Sequence, residues 1–182
     1  MKPSHYVYSE DSRLLGEFLS SIDDSGAILE IGTGNGGNLS LIHQRGKFQL
    51  IVGTDLMPLF YLRDHAPKDV ELIQADKASC FRPASFDLVV FNPPYVPSDV
   101  FDDITVDGGR GGIEKPLEFL SSALSVVRRD GKIAMVLSSE DSIAALESYC
   151  ESLGLFSVKV LEAKLFFESL FVYLITKINR DP

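Results

Sequence analysis

The chain alternates short apolar runs with amphipathic stretches. That is the pattern of βαβ units built around a mostly parallel sheet. The first amphipathic stretch covers residues 9–22. There Leu14, Leu15, Phe18, Leu19 and Ile22 fall on one helical face. Residues 27–31 read as a strand running into a glycine-rich turn. Residues 38–44 read as a helix, with Gly46 as its C-terminal stop. Residues 48–54 form a second predicted strand, ending at Asp55. Pro58 suits the first turn of a helix carrying Leu59, Phe60 and Leu62. A third strand spans 70–75 and ends at Asp76. A fourth, Phe86–Phe91, ends at Asn92.

Residues 97–114 are polar and contain Gly108, Gly109, Gly111 and Gly112. So many glycines in a long connection predict a mobile, functional segment. Pro116 opens the next predicted helix, with Leu117, Leu120, Leu124 and Val127 inward. Residues 132–137 are a fifth strand, and 142–153 a helix stopped by Gly154. Residues 156–161 and 169–176 are the last two strands. The link between them, 162–168, has no helical pattern and predicts a hairpin. That places an antiparallel strand at the end of an otherwise parallel sheet. Phe166, Phe167, Phe171 and Tyr173 read as sheet core, with a partner surface as the alternative.

The length of 182 residues suits one domain, expected to span 1–182. A composition of 45% hydrophobic and 24% charged residues excludes a disordered chain, a coiled coil and a collagen-like rod. Lys and Arg number 17 against 26 Asp and Glu, a formal charge of −9. Such a chain offers no broad basic surface for sequence-independent nucleic-acid binding. Cys80 and Cys150 have no metal or redox spacing and read as free thiols in a reduced compartment. His5, His43 and His65 have no ligand spacing either, so no metal is expected. No secretory leader opens the chain, and no apolar run approaches the roughly 20 residues of a membrane span. A soluble, cytoplasmic protein is the expectation.

Candidate chemistry gathers at the predicted strand ends. Glu30-Ile31-Gly32-Thr33-Gly34-Asn35-Gly36-Gly37 joins a strand to a helix, a turn that lets the backbone approach a nucleotide-type cofactor. Asp55 follows Gly32 by 23 residues, where a carboxylate accepts hydrogen bonds from ribose hydroxyls. It can equally cap the helix that follows. Asp76 ends the third strand, where it can accept from an adenine amino group or serve as a turn residue. Asn92-Pro93-Pro94-Tyr95 closes the fourth strand. Two prolines fix a stiff, extended turn. The Asn92 side-chain oxygen and the Pro93 carbonyl can then both accept from one planar NH₂ group and orient its nitrogen toward an electrophile. Tyr95 is placed to pack against that group.

With these motifs in order, the sequence resembles the class I S-adenosylmethionine-dependent methyltransferases, and among them the HemK-type glutamine N5-methyltransferases. Val7-Tyr8-Ser9-Glu10-Asp11-Ser12-Arg13-Leu14-Leu15 is similar to the opening of that family's short archaeal and eukaryotic branch, though two residues before Glu10 are missing. Asp107-Gly108-Gly109-Arg110-Gly111-Gly112 is similar to its DGGxxG loop. The resemblance implies a Rossmann-like α/β fold: a seven-stranded, mostly parallel sheet with an antiparallel last strand and helices on both faces. It implies S-adenosylmethionine as cofactor, held by Ser12, Glu30, Gly32, Gly34, Asp55, Asp76, Lys77 and Asn92. Asn92, Pro93, Pro94 and Tyr95 would bind the substrate amide, with Asn92, Pro93 and Tyr95 catalytic. The substrate would be a class 1 peptide chain release factor, at the glutamine of its Gly-Gly-Gln motif. The short branch pairs with a small zinc-binding activator protein. With 26 residues before the first predicted strand, the helical recruiting domain of the bacterial members is not expected.

Two rivals remain at the sequence level. Adenine-N6 and guanine-N2 methyltransferases of nucleic acid share the N-P-P-Y tetrapeptide, but the acidic balance disfavours them. A cofactor-binding partner subunit without catalysis has no need of an intact Asn92–Tyr95 turn. An NAD-dependent oxidoreductase would need a proton donor that the sequence does not offer.

Overall fold

In the computed structural model, the described residues are 10–63, 66–97, 106–138 and 140–177. Val7, Tyr8, Ser9, His5, His65 and the stretch 98–105 lie outside them. In chain order the elements are α1 (Glu10–Ser21), β1 (Gly26–Ile31), α2 (Gly37–Arg45), β2 (Phe48–Asp55), α3 (Leu59–Arg63), β3 (Glu71–Gln74) and β4 (Phe86–Phe91). There follow α4 (Glu114–Val126), β5 (Val127–Ser138), α5 (Glu140–Ser152), β6 (Leu155–Lys164) and β7 (Ser169–Lys177). The seven strands form one sheet in the order β3-β2-β1-β4-β5-β7-β6. Six run parallel, and β7 is antiparallel to both β5 and β6. This is the α/β architecture expected from the sequence. β7 lies between β5 and β6, so β6 is one edge strand and β3 the other.

The sheet is covered on both faces. Leu120, Ala123 and Val126 of α4 and Leu146 and Cys150 of α5 pack on one side, against Leu29, Ile31, Phe91, Met135 and Phe171. Leu14, Leu15, Phe18 and Leu19 of α1, Leu39 and Ile42 of α2 and Leu62 of α3 fill the other, against Ile28, Leu88, Val90, Val136 and Val172. Burial on both faces is why the central strands are continuous apolar runs rather than alternating ones. Gly46 and Gly154 end their helices in left-handed conformation, each N–H returning to a carbonyl three residues back.

Three expectations are corrected. Helix α4 starts at Glu114, so Pro116 lies inside its first turn rather than opening it. Val127 is the first residue of β5, not the last of the helix, because it pairs with Phe86 across a register irregularity in the β4–β5 ladder. Phe171 and Tyr173 are core, but Phe166 and Phe167 are each 93% exposed. They sit in the four-residue turn 165–168 of the β6–β7 hairpin, closed by the Leu165 N–H on the Glu168 carbonyl at 2.8 Å. A turn lifts its side chains off the sheet, whatever their hydrophobicity.

Candidate active site at the carboxyl edge of the sheet

The parallel ladder brings the predicted residues to one edge. Ile31 lies beside Thr54 on β2 and beside Phe91 on β4. Glu30, the glycine turn, Asp55 and Asn92 therefore emerge side by side, in the crevice where open α/β sheets take their ligands.

The turn after β1 is stapled to β2. The Gly32 and Thr33 amides both donate to the Thr54 carbonyl, at 2.7 and 3.1 Å. Gly32, Gly34 and Gly36 all adopt left-handed φ values of 53–76°. At Gly34 a β-carbon would meet nothing within 4 Å, so the turn leaves open space above its backbone. Asp55 holds that turn in place. One carboxylate oxygen accepts from the Gly34 amide and the other from the Met57 amide, each at 2.9 Å. The carboxylate thus caps the segment after β2 and ties it to the glycine turn.

Below the turn is a set of buried polar groups. Glu30 is 3% exposed, with Thr33 and Thr54 also buried. Glu30 Oε2, Thr33 Oγ1 and Thr54 Oγ1 have no hydrogen-bond partner. Burial pushes the Glu30 carboxyl up to about 8; the negative charge of Asp55 adds to this, and a hydrogen bond to buried Asn38 of α2 opposes it. Unsatisfied buried acceptors are rare, and here they line one ligand-facing turn. They fit a cofactor that brings donors and positive charge.

On the far side of the turn, Phe119 of α4 closes over Gly32, whose β-carbon would lie 3.7 Å from the ring. The Phe119 ring tilts against Phe91, centroids 5.7 Å apart, and the Lys77 ammonium lies 5.5 Å from its centroid. Lys77 has φ 52° and pairs with Asp76 at 3.0 Å and Glu118 at 3.5 Å. Asp76 is exposed apart from that pair. The Lys77 ammonium is therefore engaged with carboxylates and a ring. Phe119 is not predictable from the sequence pattern, because it sits off the apolar stripe of its helix.

The Asn92-Pro93-Pro94-Tyr95 turn projects from β4. Pro93 is buried and Asn92 half-buried. Asn92 Oδ1 is buried and has no hydrogen-bond partner. The turn is held from two sides. The Tyr95 hydroxyl donates to Asp11 Oδ2 of α1 at 2.9 Å, and Asp11 with its neighbour Ser12 is buried. On the other side, the Val96 amide donates to the Val106 carbonyl at 2.9 Å and the Gly108 amide to the Val96 carbonyl at 2.6 Å. A β-carbon at Gly108 would stand 2.6 Å from Tyr95 Cα, and one at Gly112 2.3 Å from the Tyr95 carbonyl oxygen. These two glycines serve close backbone approach, a role different from the looseness that composition alone predicts.

No protein-family model matches the sequence. The chain is 28% identical over 149 residues, covering 76% of it, to a Methanocaldococcus jannaschii protein provisionally named protein N5-glutamine methyltransferase, of which the match spans 75%. It is 28% identical over 163 residues to the release factor glutamine methyltransferase of Moorella thermoacetica, covering 78% of this chain and 57% of that longer protein. Among solved structures, the E. cuniculi Mtq2–Trm112 complex, described as methylating the translation termination factor eRF1, superposes with a TM-score of 0.77. Identity there is 25%, over 95% of this chain and 98% of the matched one. The fold is that of the Rossmann-like methyltransferases, and the homologues are glutamine methyltransferases by name.

Proposed function

We propose that this protein transfers a methyl group from S-adenosylmethionine to the side-chain amide nitrogen of a glutamine, in the Gly-Gly-Gln motif of a class 1 peptide chain release factor. The observation that carries the proposal is the buried, unpartnered Asn92 Oδ1 in a turn stiffened by two prolines. An orphaned buried acceptor is destabilising by about 1–3 kcal/mol, and a ligand N–H in the right place removes that penalty. Asn92 Oδ1 and the Pro93 carbonyl offer two acceptors for the two hydrogens of one amide. Holding both weakens the delocalisation of the nitrogen lone pair and aims it. The names of both relatives and the described activity of the structural neighbour agree with this substrate.

When bound, S-adenosylmethionine supplies an electrophilic methyl group on a sulfonium. The residues of this chain supply the rest. Glu30, Gly32 and Gly34 would hold the cofactor at the first turn, Asp55 would take the ribose, and Asp76 with the Lys77 backbone would take the adenine. Ser12, buried beside Asp11, backs the methionine end. Tyr95, Pro94 and Pro93 shape the slot for the amide plane, and Tyr95 is fixed by Asp11. The reading includes a small, zinc-binding partner subunit in the cytoplasm. In support, the structural neighbour is a two-protein complex. Moreover, Leu56, Met57, Leu59, Phe60 and Tyr61 form an exposed apolar surface beside the edge strand β3. Among the described residues no helix is long and apolar enough to cross a membrane.

The test is transfer of labelled methyl to purified release factor and, in parallel, to total RNA. Label is expected on the protein alone. Asn92→Ala is expected to reduce transfer by roughly a hundredfold or more, the range for a lost transition-state contact, while S-adenosylmethionine still binds. Near-wild-type transfer by that variant refutes the role of Asn92, and label on RNA alone refutes the substrate.

A further inference from the structure

The β6–β7 hairpin ends in two phenylalanines that nothing among the described residues covers. Phe166 and Phe167 are each 93% exposed and stack edge to face, centroids 4.8 Å apart. Exposed large rings that persist on a surface commonly mark a binding site.

Register shows where this tip stands. Phe91 pairs with Met135, and three residues further along β5 Ser138 pairs with Leu170 of β7. The hairpin turn therefore lies at the same sheet edge as Asn92. Two strand spacings put β7 about 10 Å to the side of β4, and three residues of rise bring Leu170 about 10 Å above Phe91. Phe166 and Phe167 lie three to four residues further out along the hairpin, so the tip projects beyond the crevice on the flank of the Asn92–Tyr95 turn. The tip is also anchored: Ser138 Oγ donates to Glu168 Oε2 at 2.6 Å, and Leu165 packs on the α1 side of the core. Anchored aromatic rings make good contact points, because little order is lost when they are covered.

Charge at this edge is mixed and acidic on balance. Asp55, Asp76, Asp107, Glu114, Glu118 and Glu168 come from its strand ends, loops and the start of α4, against Lys77, Arg110, Lys115 and Lys164; Lys77 pairs with Asp76 and Glu118, and Lys115 with Glu118. The chain as a whole carries −9. A partner docking here meets one apolar prong on an acidic protein.

We propose that Phe166 and Phe167 are a substrate-recognition prong that docks the body of the acceptor protein, on a basic surface with an apolar hollow, beside the glutamine being methylated. This rests on the methyltransferase reading above and adds the element that selects an intact protein over a bare peptide.

The test compares wild type and Phe166→Ser/Phe167→Ser on intact release factor and on a short synthetic peptide containing Gly-Gly-Gln. For the double variant, KM for the intact protein is expected to rise roughly tenfold or more. Its kcat at saturation, its peptide kinetics and its melting temperature are expected to match wild type. Equal KM on the intact protein overturns the prong. So does an equal loss on protein and peptide, which places the rings in catalysis or folding. A change in oligomeric mass with substrate kinetics unchanged also overturns it, in favour of a second copy as occupant. If wild type methylates neither protein nor peptide, the methyltransferase reading itself fails and the prong falls with it.

Discussion

Replacing Glu30 by Gln isolates one charge under the glycine turn that follows β1. In the wild type the folded carboxyl sits at about 8 against 4.5 for an exposed one, chiefly through burial. The sign follows from which state holds the proton. Between pH 4.5 and 8 the unfolded chain has released it and the folded chain keeps it, so stability falls as pH rises through that window. Each pH unit inside the window is worth about 1.4 kcal/mol. At pH 7 the wild type thus carries a deficit of about 3 kcal/mol at this one position, rising to about 5 kcal/mol at pH 8 and above. Gln has the same shape and no charge, and it can keep the bond to Asn38. Glu30→Gln is therefore expected to be the more stable protein at pH 7, melting roughly 6–12 °C higher. At pH 5 the two are expected to lie within about 1 kcal/mol of each other.

Urea unfolding of both proteins at pH 5, 7 and 8.5 reads this directly, with midpoints shifting at constant slope. Parallel pH profiles would show that Glu30 holds no displaced proton in the folded protein. Loss of stability at every pH would show that the ionised carboxylate is well satisfied, refuting the burial penalty from the other side. The gain is expected to come with weaker binding of S-adenosylmethionine, whose positive charge favours the ionised carboxylate. A residue whose removal stabilises the fold while weakening the ligand is the usual mark of a functional position. Proton release on cofactor binding, measured by calorimetry in two buffers of different ionisation enthalpy, should be present in the wild type and absent in the variant.

Gly112→Ala places a methyl group 2.3 Å from the Tyr95 carbonyl oxygen and also meets a left-handed φ of 73°. The 106–113 segment must move off the Asn92–Tyr95 turn, so methyl transfer is expected to fall at least tenfold, with a stability loss of about 1–3 kcal/mol, read by the labelled-methyl assay and by urea unfolding. Tyr95→Phe removes only the hydroxyl that donates to Asp11. Stability is expected to drop by about 1 kcal/mol and kcat to fall more than the KM for release factor rises, since the turn loses its tie to α1; unchanged kcat would show that the tie does not position the turn.

Much of the fold was legible because buried parallel strands leave long apolar runs. Phe86–Phe91 and the stretch from Ile133 to Leu137 could be read with no knowledge of their neighbours. The start of β5 could not. Arg128, Arg129 and Asp130 are charged and fall in the register irregularity of the β4–β5 ladder, between the Phe86–Val127 and Leu88–Lys132 pairs, which no local apolar pattern encodes. Phe166 and Phe167 misled for the opposite reason: hydrophobicity reports what a side chain prefers, and a four-residue hairpin turn can overrule it. At the site, Glu30, Asp55, Asp76 and Asn92 were visible as strand-end residues. Asp11 and Phe119 were not, because their meaning comes from contacts across the chain. The Asp11–Tyr95 bond spans 84 residues, and no local pattern encodes it. Gly108 and Gly112 were visible as glycines, but composition predicts freedom where packing requires closeness.

That closeness bears on why Asn92 keeps an unpartnered oxygen. A flexible turn would rotate until a buried acceptor found a donor, because leaving it unpaired is destabilising. Here the backbone routes of relaxation are closed. Pro93 and Pro94 fix two consecutive φ angles and supply no amide hydrogen. The residue before Pro93 is itself restricted to extended backbone. Tyr95 is held at its hydroxyl by Asp11 and at its backbone by the contact with Gly108 and Gly112. Val96 is hydrogen-bonded on both sides to the 106–108 strand-like stretch. The surrounding backbone therefore keeps the penalty at Asn92 in place, and under the function proposed above the glutamine amide relieves it by supplying the missing N–H. On that proposal the turn needs no movement to accept the amide. The site's selectivity has to come from what approaches the edge, which puts the weight of recognition on the surfaces around the crevice rather than on the turn itself.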